Sequence, residues 1–227
     1  MKILVYGAGV IGCVLAHKLF RAGNDVTLLA RGNWKDTIDE KGLTIDHYGY
    51  FYKTTDKIRT VDKLEDSDRY DLIFVVMQYN NILNILKTLG ENISPYIILV
   101  GNNMNPEYCE KEILKMSHSK KEIGFGFQGS GGYRKDKKVV GMHSLRIGMT
   151  VGGLRCKLSD EFEKKVNRLY FIYKTCIGKF VISNHCSHAV EEMSTLDKSF
   201  NELKNKSNII MPVWDKLREK ACGVLKG

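Results

Sequence analysis

Three glycines near the amino terminus have the spacing of a phosphate-binding turn. Residues 7–12 read GAGVIG, between a short apolar run and a helical pattern. In that setting the first glycine permits a tight turn, the second lets a pyrophosphate approach the backbone, and the third lets helix and strand pack closely. The free N–H groups at the start of the helix attract the anion. The pattern predicts a dinucleotide site, the alternative being a glycine-rich turn without a ligand. The residues assigned to this site are Gly7, Ala8, Gly9, Val10, Ile11 and Gly12.

Arg31 ends the second apolar run, in the stretch TLLARG. An acidic residue at this place would accept hydrogen bonds from the 2′-hydroxyl of an adenosine ribose and repel a 2′-phosphate. A guanidinium instead donates two parallel hydrogen bonds to a phosphate. Arg31 therefore predicts NADP(H) rather than NAD(H), unless it is a solvent-facing arginine in a loop. Lys35 adds positive charge nearby, although nothing in the sequence fixes its direction.

The elements that position these residues follow from the apolar pattern. KILVY (2–6) and DVTLLA (25–30) suit buried strands, and the stretch between them has helical spacing up to Gly23. Residues 42–64 alternate as a pair of strands would, with Gly49 near the turn. YDLIFVVM (70–77) is typical of a central strand, and apolar spacing predicts a helix over 80–89.

The second half of the chain continues the alternation of strands and helices. YIILVG (96–101) predicts a buried strand and residues 107–117 a helix, while EIGFGF and LRIGMTVGG suggest strands joined by a Gly-rich bend. Ser159 is a cap-like residue before a helix, and a last strand is expected near KFVIS. The pattern predicts the α/β class, with a Rossmann-type open, mostly parallel sheet in a domain of residues 1–184. A short all-helical C-terminal segment, 185–227, is expected to follow it.

Composition limits the remaining classes of function. The chain has 227 residues and a net charge of +9, and part of the basic excess lies between residues 111 and 146. Without a recognition helix or many aromatics there, this charge favours a solvated basic face over a nucleic-acid site. The six cysteines are dispersed without a CxxC pair, so we expect neither disulfides nor a metal site. No signal peptide or membrane-spanning stretch is recognised, and we expect a cytoplasmic location.

The segments KILVYGAGVIG, LLAR, DLIFVVM, VGNNMNPE and GFGFQGSGGYR, in this order, resemble the ketopantoate reductase (2-dehydropantoate 2-reductase) family over residues 1–184. The resemblance implies an N-terminal Rossmann domain that binds NADPH and a C-terminal helical domain. It also implies a cleft between them in which a small 2-oxo acid is reduced, as in pantothenate biosynthesis. The family's arginine that contacts the 2′-phosphate corresponds to Arg31.

Three further residues carry over from the family by position. The asparagine near nicotinamide and substrate matches Asn102, and the second phosphate-binding residue, a lysine in the family, falls at Gln78. Gln78 keeps a hydrogen-bond donor and loses the charge. The catalytic lysine of the family's Trp-x-Lys pattern matches Lys216, whose alternative is an exposed lysine on an amphipathic helix. An ammonium within hydrogen-bond reach stabilises the alkoxide that hydride addition forms, and delivers its proton.

The resemblance also implies a longer helical domain than this sequence contains. We therefore expect a complete cofactor site, a substrate site that lacks part of its groups, and slow or undetectable turnover. The alternative is a non-catalytic NADP-binding protein, either a sensor or a remnant. Apolar residues after position 185 predict a homodimer through the C-terminal region, and we expect no nucleic-acid or membrane partner.

Overall fold

The structure, a computed structural model, describes residues 1–143, 148–154, 158–167, 169, 197–198, 200–202 and 204–206. The strands in this part of the chain are β1 (Lys2–Tyr6), β2 (Asp25–Leu29), β3 (Leu43–His47), β4 (Tyr52–Asp56), β5 (Arg59–Val61), β6 (Leu72–Val76), β7 (Tyr96–Val100), β8 (Glu122–Gln128), β9 (Ser130–Lys135), β10 (Lys138–His143) and β11 (Met149–Gly152). The helices are α1 (Val10–Arg21), α2 (Gly32–Lys41), α3 (Tyr79–Leu83), α4 (Leu86–Glu91), α5 (Pro106–Lys115) and α6 (Asp160–Asn167).

The main sheet has seven strands in the order β11-β8-β7-β6-β1-β2-β5. Its pairs are parallel from β5 to β8, and β11 alone is antiparallel to its neighbour. The predicted open, mostly parallel sheet is therefore confirmed. The first βαβ unit also has its expected bounds, because Gly23, with φ of 80°, follows the last turn of α1.

Alternate side chains of the central strands face two separate cores. Ile3 and Val5 belong to one core, which α1 covers, whereas Leu4 and Tyr6 belong to the other. Phe162 of α6 packs into the first core, and Ile113 of α5 packs into the second. Burial on both faces explains why these strands are continuous apolar runs in the sequence.

A second sheet of four strands, in the order β4-β3-β10-β9, packs against α1. The predicted pair of strands is confirmed as the antiparallel hairpin β3–β4, but the same stretch also contains β5, which joins the main sheet. The expected Gly-rich bend after β8 is wrong, because β9 and β10 form a hairpin there. Its turn residues Asp136 and Lys137 have φ of 50° and 60°, as a tight two-residue hairpin turn requires.

Two helical expectations need correction. The single helix predicted over 80–89 is divided into α3 and α4, because Ile85, with φ of −119°, breaks the helical conformation between them. The helix α2 was not predicted, since its sequence GNWKDTIDEK contains a single buried residue, Ile38. A helix with so narrow an apolar face gives little periodic signal.

The later part of the chain is described only in pieces. Ser159 precedes α6 as expected, and its hydroxyl accepts a hydrogen bond of 3.3 Å from the Phe162 N–H. Residues 197–198, 200–202 and 204–206 are helical. The expected strand near KFVIS and the boundary at 184/185 lie outside the described residues, so both stay predictions. Within the described part of the chain we find no helix with the length and apolar character of a membrane span.

Candidate functional site

The residues predicted to bind a nucleotide lie at one edge of the main sheet. Four of them follow the carboxyl ends of parallel strands: Gly7 after β1, Arg31 after β2, Gln78 after β6 and Asn102 after β7. In the sheet these strands are adjacent, in the order β7-β6-β1-β2. The strand order changes direction between β1 and β6. Open α/β sheets bind ligands in the crevice at such a switch point.

The three glycines of the turn have different structural roles. Gly7 has φ of 118°, and a β-carbon there would overlap the carbonyl oxygen of Val76. A β-carbon at Gly12 would overlap the carbonyl oxygen of Gly7, so this glycine allows α1 to approach the turn. Gly9 is exposed and has φ of −67°, with no atom within 4 Å of the place where its β-carbon would stand. The space beside Gly9 is therefore open to a ligand.

The start of α1 has the features of an anion-binding site. No side chain caps this helix, and its first turn contains no acidic residue. The first intrahelical bond runs from the Cys13 N–H to the Gly9 carbonyl, at 2.9 Å. The N–H groups before Cys13 point out of the helix end, where they and the helix dipole favour negative charge. These features fit the pyrophosphate of a dinucleotide.

The carbonyl of Ala8, inside the turn, is held by side chains from distant segments. Trp34 Nε1 donates a hydrogen bond of 3.1 Å to it, and Cys13 Sγ donates a weaker one of 3.4 Å. The guanidinium of Arg134, on β9, donates to the same oxygen. We did not predict Trp34 or Arg134 as site residues. Their sequence separations from Ala8 are 26 and 126 residues, and no local pattern reports contacts of that range.

Arg31 lies at the predicted place, in the short connection between β2 and α2, where it is the N-cap residue of α2 without a side-chain capping bond. Its Nε donates to the Asp62 carbonyl at 3.3 Å and its Nη2 to the Tyr6 hydroxyl at 3.4 Å. Both bonds are long, and the side chain is exposed. The guanidinium is thus located at the end of β2 with donors still available to a phosphate.

The Lys35 side chain forms an ion pair within its own helix, α2. Its ammonium forms a 2.6 Å ion pair with Asp39, one turn later, and this hydrogen bond raises the pKa of the lysine. The structure therefore directs Lys35 towards Asp39, a direction that the sequence left open. Arg31 has no such carboxylate partner among the described residues.

Gln78 and Asn102 are half-buried at the carboxyl ends of their strands. The Gln78 carbonyl accepts hydrogen bonds from the N–H groups of Asn81 and Ile82, at 3.0 and 3.1 Å, while its side chain does not cap α3. After Asn102, the Asn103 Oδ1 accepts from the Asn105 N–H at 3.1 Å. The Nδ2 group of Asn103 is buried without a hydrogen-bond partner, so this loop contains a donor whose partner the described residues do not supply.

The remaining candidates give narrower results. Lys216 lies outside the described residues, as does Trp214, the tryptophan of the Trp-x-Lys pattern. Cys13 and Cys109 are buried and unpaired, and burial raises the pKa of Cys13 to about 12. Because a raised pKa disfavours the thiolate, Cys13 contributes to packing and is not a nucleophile.

The sequence matches the family model "Ketopantoate reductase PanE/ApbA" over residues 3–152, and the chain belongs to this family. A 2-dehydropantoate 2-reductase of Pyrococcus horikoshii is 26% identical over 173 residues, which are 75% of this chain and 53% of the relative. The chain thus spans about half the length of that relative.

Solved structures show the same fold. The 2-dehydropantoate 2-reductase of Methylococcus capsulatus has a TM-score of 0.56 and 19% identity, over 74% of this chain and 53% of that one. A D-mandelate dehydrogenase, solved with NADH and anilino(oxo)acetate, has a TM-score of 0.57 and 20% identity, over 74% and 54%. Both likenesses confirm the α/β fold that the residue pattern predicts.

Proposed function

We propose that the chain binds NADPH and is the cofactor-binding part of a reductase of a small 2-oxo acid such as 2-dehydropantoate. The observation that carries this proposal is the joint position of two features at the switch point. The uncapped start of α1 faces an open space at Gly9, and the Arg31 guanidinium lies at the end of β2. The family and its NADH-bound relative support a nicotinamide cofactor.

The preference for NADPH over NADH rests on Arg31. No carboxylate replaces it at the end of β2, where one would accept bonds from a ribose 2′-hydroxyl. A 2′-phosphate is a stronger acceptor for a guanidinium than a hydroxyl is, because both groups are charged. Gln78 follows β6, which β1 separates from β2, and offers a neutral donor in place of the second cation that the family resemblance implies.

The reaction adds a hydride and a proton to a ketone and gives an alcohol. NADPH, when bound, supplies the hydride. Asn102, at the end of β7, is proposed to orient the carbonyl through its amide. Lys216 is proposed to donate a hydrogen bond to the oxygen that becomes an alkoxide and then to give it a proton. A homodimer through residues 185–227 is part of the same proposal, and light scattering measures it.

The cofactor proposal is tested by fluorescence titration of the whole chain with NADPH and NADH. We expect NADPH to bind about tenfold more tightly, which corresponds to roughly 1.4 kcal/mol from Arg31. Arg31→Ala removes this preference. Arg59→Ala is the control for loss of an exposed arginine, because Arg59 on β5 pairs with Thr27 in the middle of β2, before the strand end that leads to Arg31. Equal affinities for the two cofactors in the unaltered chain contradict the assignment.

Turnover is tested separately, by the loss of reduced-nicotinamide absorbance with 2-dehydropantoate. If Lys216 has the proposed role, Lys216→Ala abolishes any turnover without changing the NADPH affinity. A Lys216→Ala chain that turns over as fast as the unaltered chain removes the lysine from the mechanism. The cofactor assignment stands or falls independently, by the titration.

A further inference from the structure

Arg134 connects the second sheet to the phosphate-binding turn. It lies on β9, and its guanidinium donates to the Ala8 carbonyl, 126 residues earlier. The same guanidinium lies over the Trp34 ring, 4.7 Å from the ring centroid. Stacking on an indole fixes the plane of an arginine without using its hydrogen-bond donors.

The hairpin that carries Arg134 is pressed against the start of α1. Gly132, two residues before Arg134, has φ of 138°, and a β-carbon there would overlap the Val140 carbonyl and come within 3.1 Å of the Val10 side chain. Gly132 pairs with Gly141 of β10, whose own β-carbon would meet Val14 at 3.0 Å. Two glycines therefore allow the hairpin to lie directly on the first turns of α1, beside the anion site.

The Ala8 carbonyl does not by itself account for Arg134. Trp34 Nε1 already donates to this oxygen at 3.1 Å. A guanidinium has five N–H donors, and Arg134 is exposed and pairs with no carboxylate among the described residues. An unneutralised cation with free donors, beside a helix start that attracts anions, matches a diphosphate.

We propose that Arg134 binds the diphosphate of the dinucleotide and that Trp34 holds its guanidinium in place. This inference rests on the proposed function and adds a second cation with a different task. Arg31 contacts the 2′-phosphate that only NADPH has. Arg134 contacts the diphosphate that NADPH and NADH share, so the second sheet contributes to the cofactor site.

The two arginines are distinguished by three ligands: NADPH, NADH and adenosine 2′-monophosphate, which lacks the diphosphate. Arg134→Met is expected to weaken the binding of NADPH and NADH alike, by about tenfold or more, since a charge-assisted hydrogen bond to the diphosphate is lost. Its affinity for adenosine 2′-monophosphate stays unchanged. Arg31→Ala gives the opposite pattern, with weaker NADPH and adenosine 2′-monophosphate and unchanged NADH.

Lys135→Met is the matched control, because this exposed cation is the next residue on β9 and alternation along a strand directs it to the other face. It is expected to leave all three affinities unchanged. The salt dependence of NADH binding gives a readout that a purely structural role does not move. It becomes shallower in Arg134→Met because one charge pair is lost.

Two results overturn the inference. If Arg134→Met leaves the NADH affinity unchanged, the residue does not contact the diphosphate. If it weakens adenosine 2′-monophosphate as much as NADH, with the salt dependence unaltered, Arg134 merely supports the turn. An unaltered chain that binds neither dinucleotide overturns the proposed function as well, which distinguishes that failure from the first two.

Discussion

The two sheets of this protein are stabilised in different ways. The central strands of the main sheet are apolar, and every residue of β6 is buried. The second sheet also packs Leu43, Ile45 and Val139 into the core that α1 covers, but in addition it buries three ionisable residues near α1: His47, Asp56 and His143. Apolar packing is insensitive to pH, whereas buried ionisable groups tie the stability of a contact to protonation. The contact of the second sheet with α1 is therefore expected to depend on pH, unlike the apolar core of the main sheet.

The polar contact consists of two connected parts. Asp56 accepts hydrogen bonds from His17 and, at 2.6 Å, from Arg21 Nε, both on α1. His47 Nδ1 and His143 Nε2 share a hydrogen bond of 2.7 Å, and His47 Nε2 shares another of 2.7 Å with the Thr54 hydroxyl. The rings of His17 and His47 are 5.0 Å apart. The cluster joins α1 to β3, β4 and β10.

The largest effect is expected in the main sheet. Phe74→Ala removes a fully buried ring from the centre of β6 and should cost about 3–5 kcal/mol of unfolding free energy. Phe51→Ala is the matched control, because Phe51 is fully exposed and its loss should cost less than about 0.5 kcal/mol. Urea denaturation measures both. Similar costs for the two variants would contradict the assignment of the core.

A smaller effect is expected from the polar contact. Asp56→Ala leaves the buried His17 without its partner and should cost about 1–3 kcal/mol. Arg21 is half-exposed and regains water, so Arg21→Ala should cost less than about 1 kcal/mol. Glu91→Ala, which breaks a partly exposed pair with Lys87 on α4, is the control for loss of an acid. An Asp56→Ala chain as stable as Glu91→Ala would show that the second sheet docks without the cluster.

The main sheet was predictable because its signal is local. A strand buried on both faces must be a continuous apolar run, as LIFVV and YIILV are. The sequence indicates a bend in place of the hairpin β9–β10, because Gly131, Gly132 and Gly141 weaken a strand pattern. Gly132 and Gly141 are explained by the closeness of α1, which is a property of the tertiary structure.

In the candidate site, too, only the residues that belong to a local sequence pattern could be predicted. Gly7, Gly12 and Arg31 belong to a motif whose parts are about 20 residues apart, and each lies at the expected edge. Trp34 and Arg134 reach the Ala8 carbonyl through contacts between elements, for which spacing gives no signal. The direction of Lys35 also depended on a partner, Asp39, that competes with any ligand.

The pH dependence sharpens the contrast between the sheets. Burial lowers the pKa of His17, and burial with the adjacent His143, His17 and Lys18 lowers that of His47 from 6.5 to about 4 despite Asp46. Between these values the unfolded chain binds more protons than the folded one. The stability is therefore complete above about pH 6.5 and falls as the pH is lowered towards 4, by about 1.4 kcal/mol per pH unit for each proton.

Urea denaturation at pH 7.5, 6, 5 and 4.5 measures this slope. His47→Gln is expected to be less stable at neutral pH and to have a shallower slope, because its protonation no longer opposes folding. His118→Gln, at an exposed position, is the control and should keep the slope of the unaltered chain. If His47→Gln keeps that slope as well, His47 is not the group responsible.

The smallest expected effect on stability, at Gly9, separates the fold from the cofactor site. A methyl group at Gly9 meets no atom within 4 Å, and φ of −67° suits any residue, so Gly9→Ala should cost no more than about 0.5 kcal/mol as a helix cap. The same methyl group occupies the space that the pyrophosphate needs, and we expect the affinity for NADPH and NADH to fall by at least tenfold.

Gly12→Ala is the counterpart, since its β-carbon would overlap the Gly7 carbonyl and both stability and binding should be lost. Urea denaturation and cofactor titration give the unfolding free energy and the cofactor affinity of each variant. Only a ligand that binds beside Gly9 leaves Gly9→Ala stable yet unable to bind the cofactor. A Gly9→Ala chain with unchanged affinity for both dinucleotides would show that the turn is a structural feature of α1 and that the nucleotide, if bound, lies elsewhere along the edge.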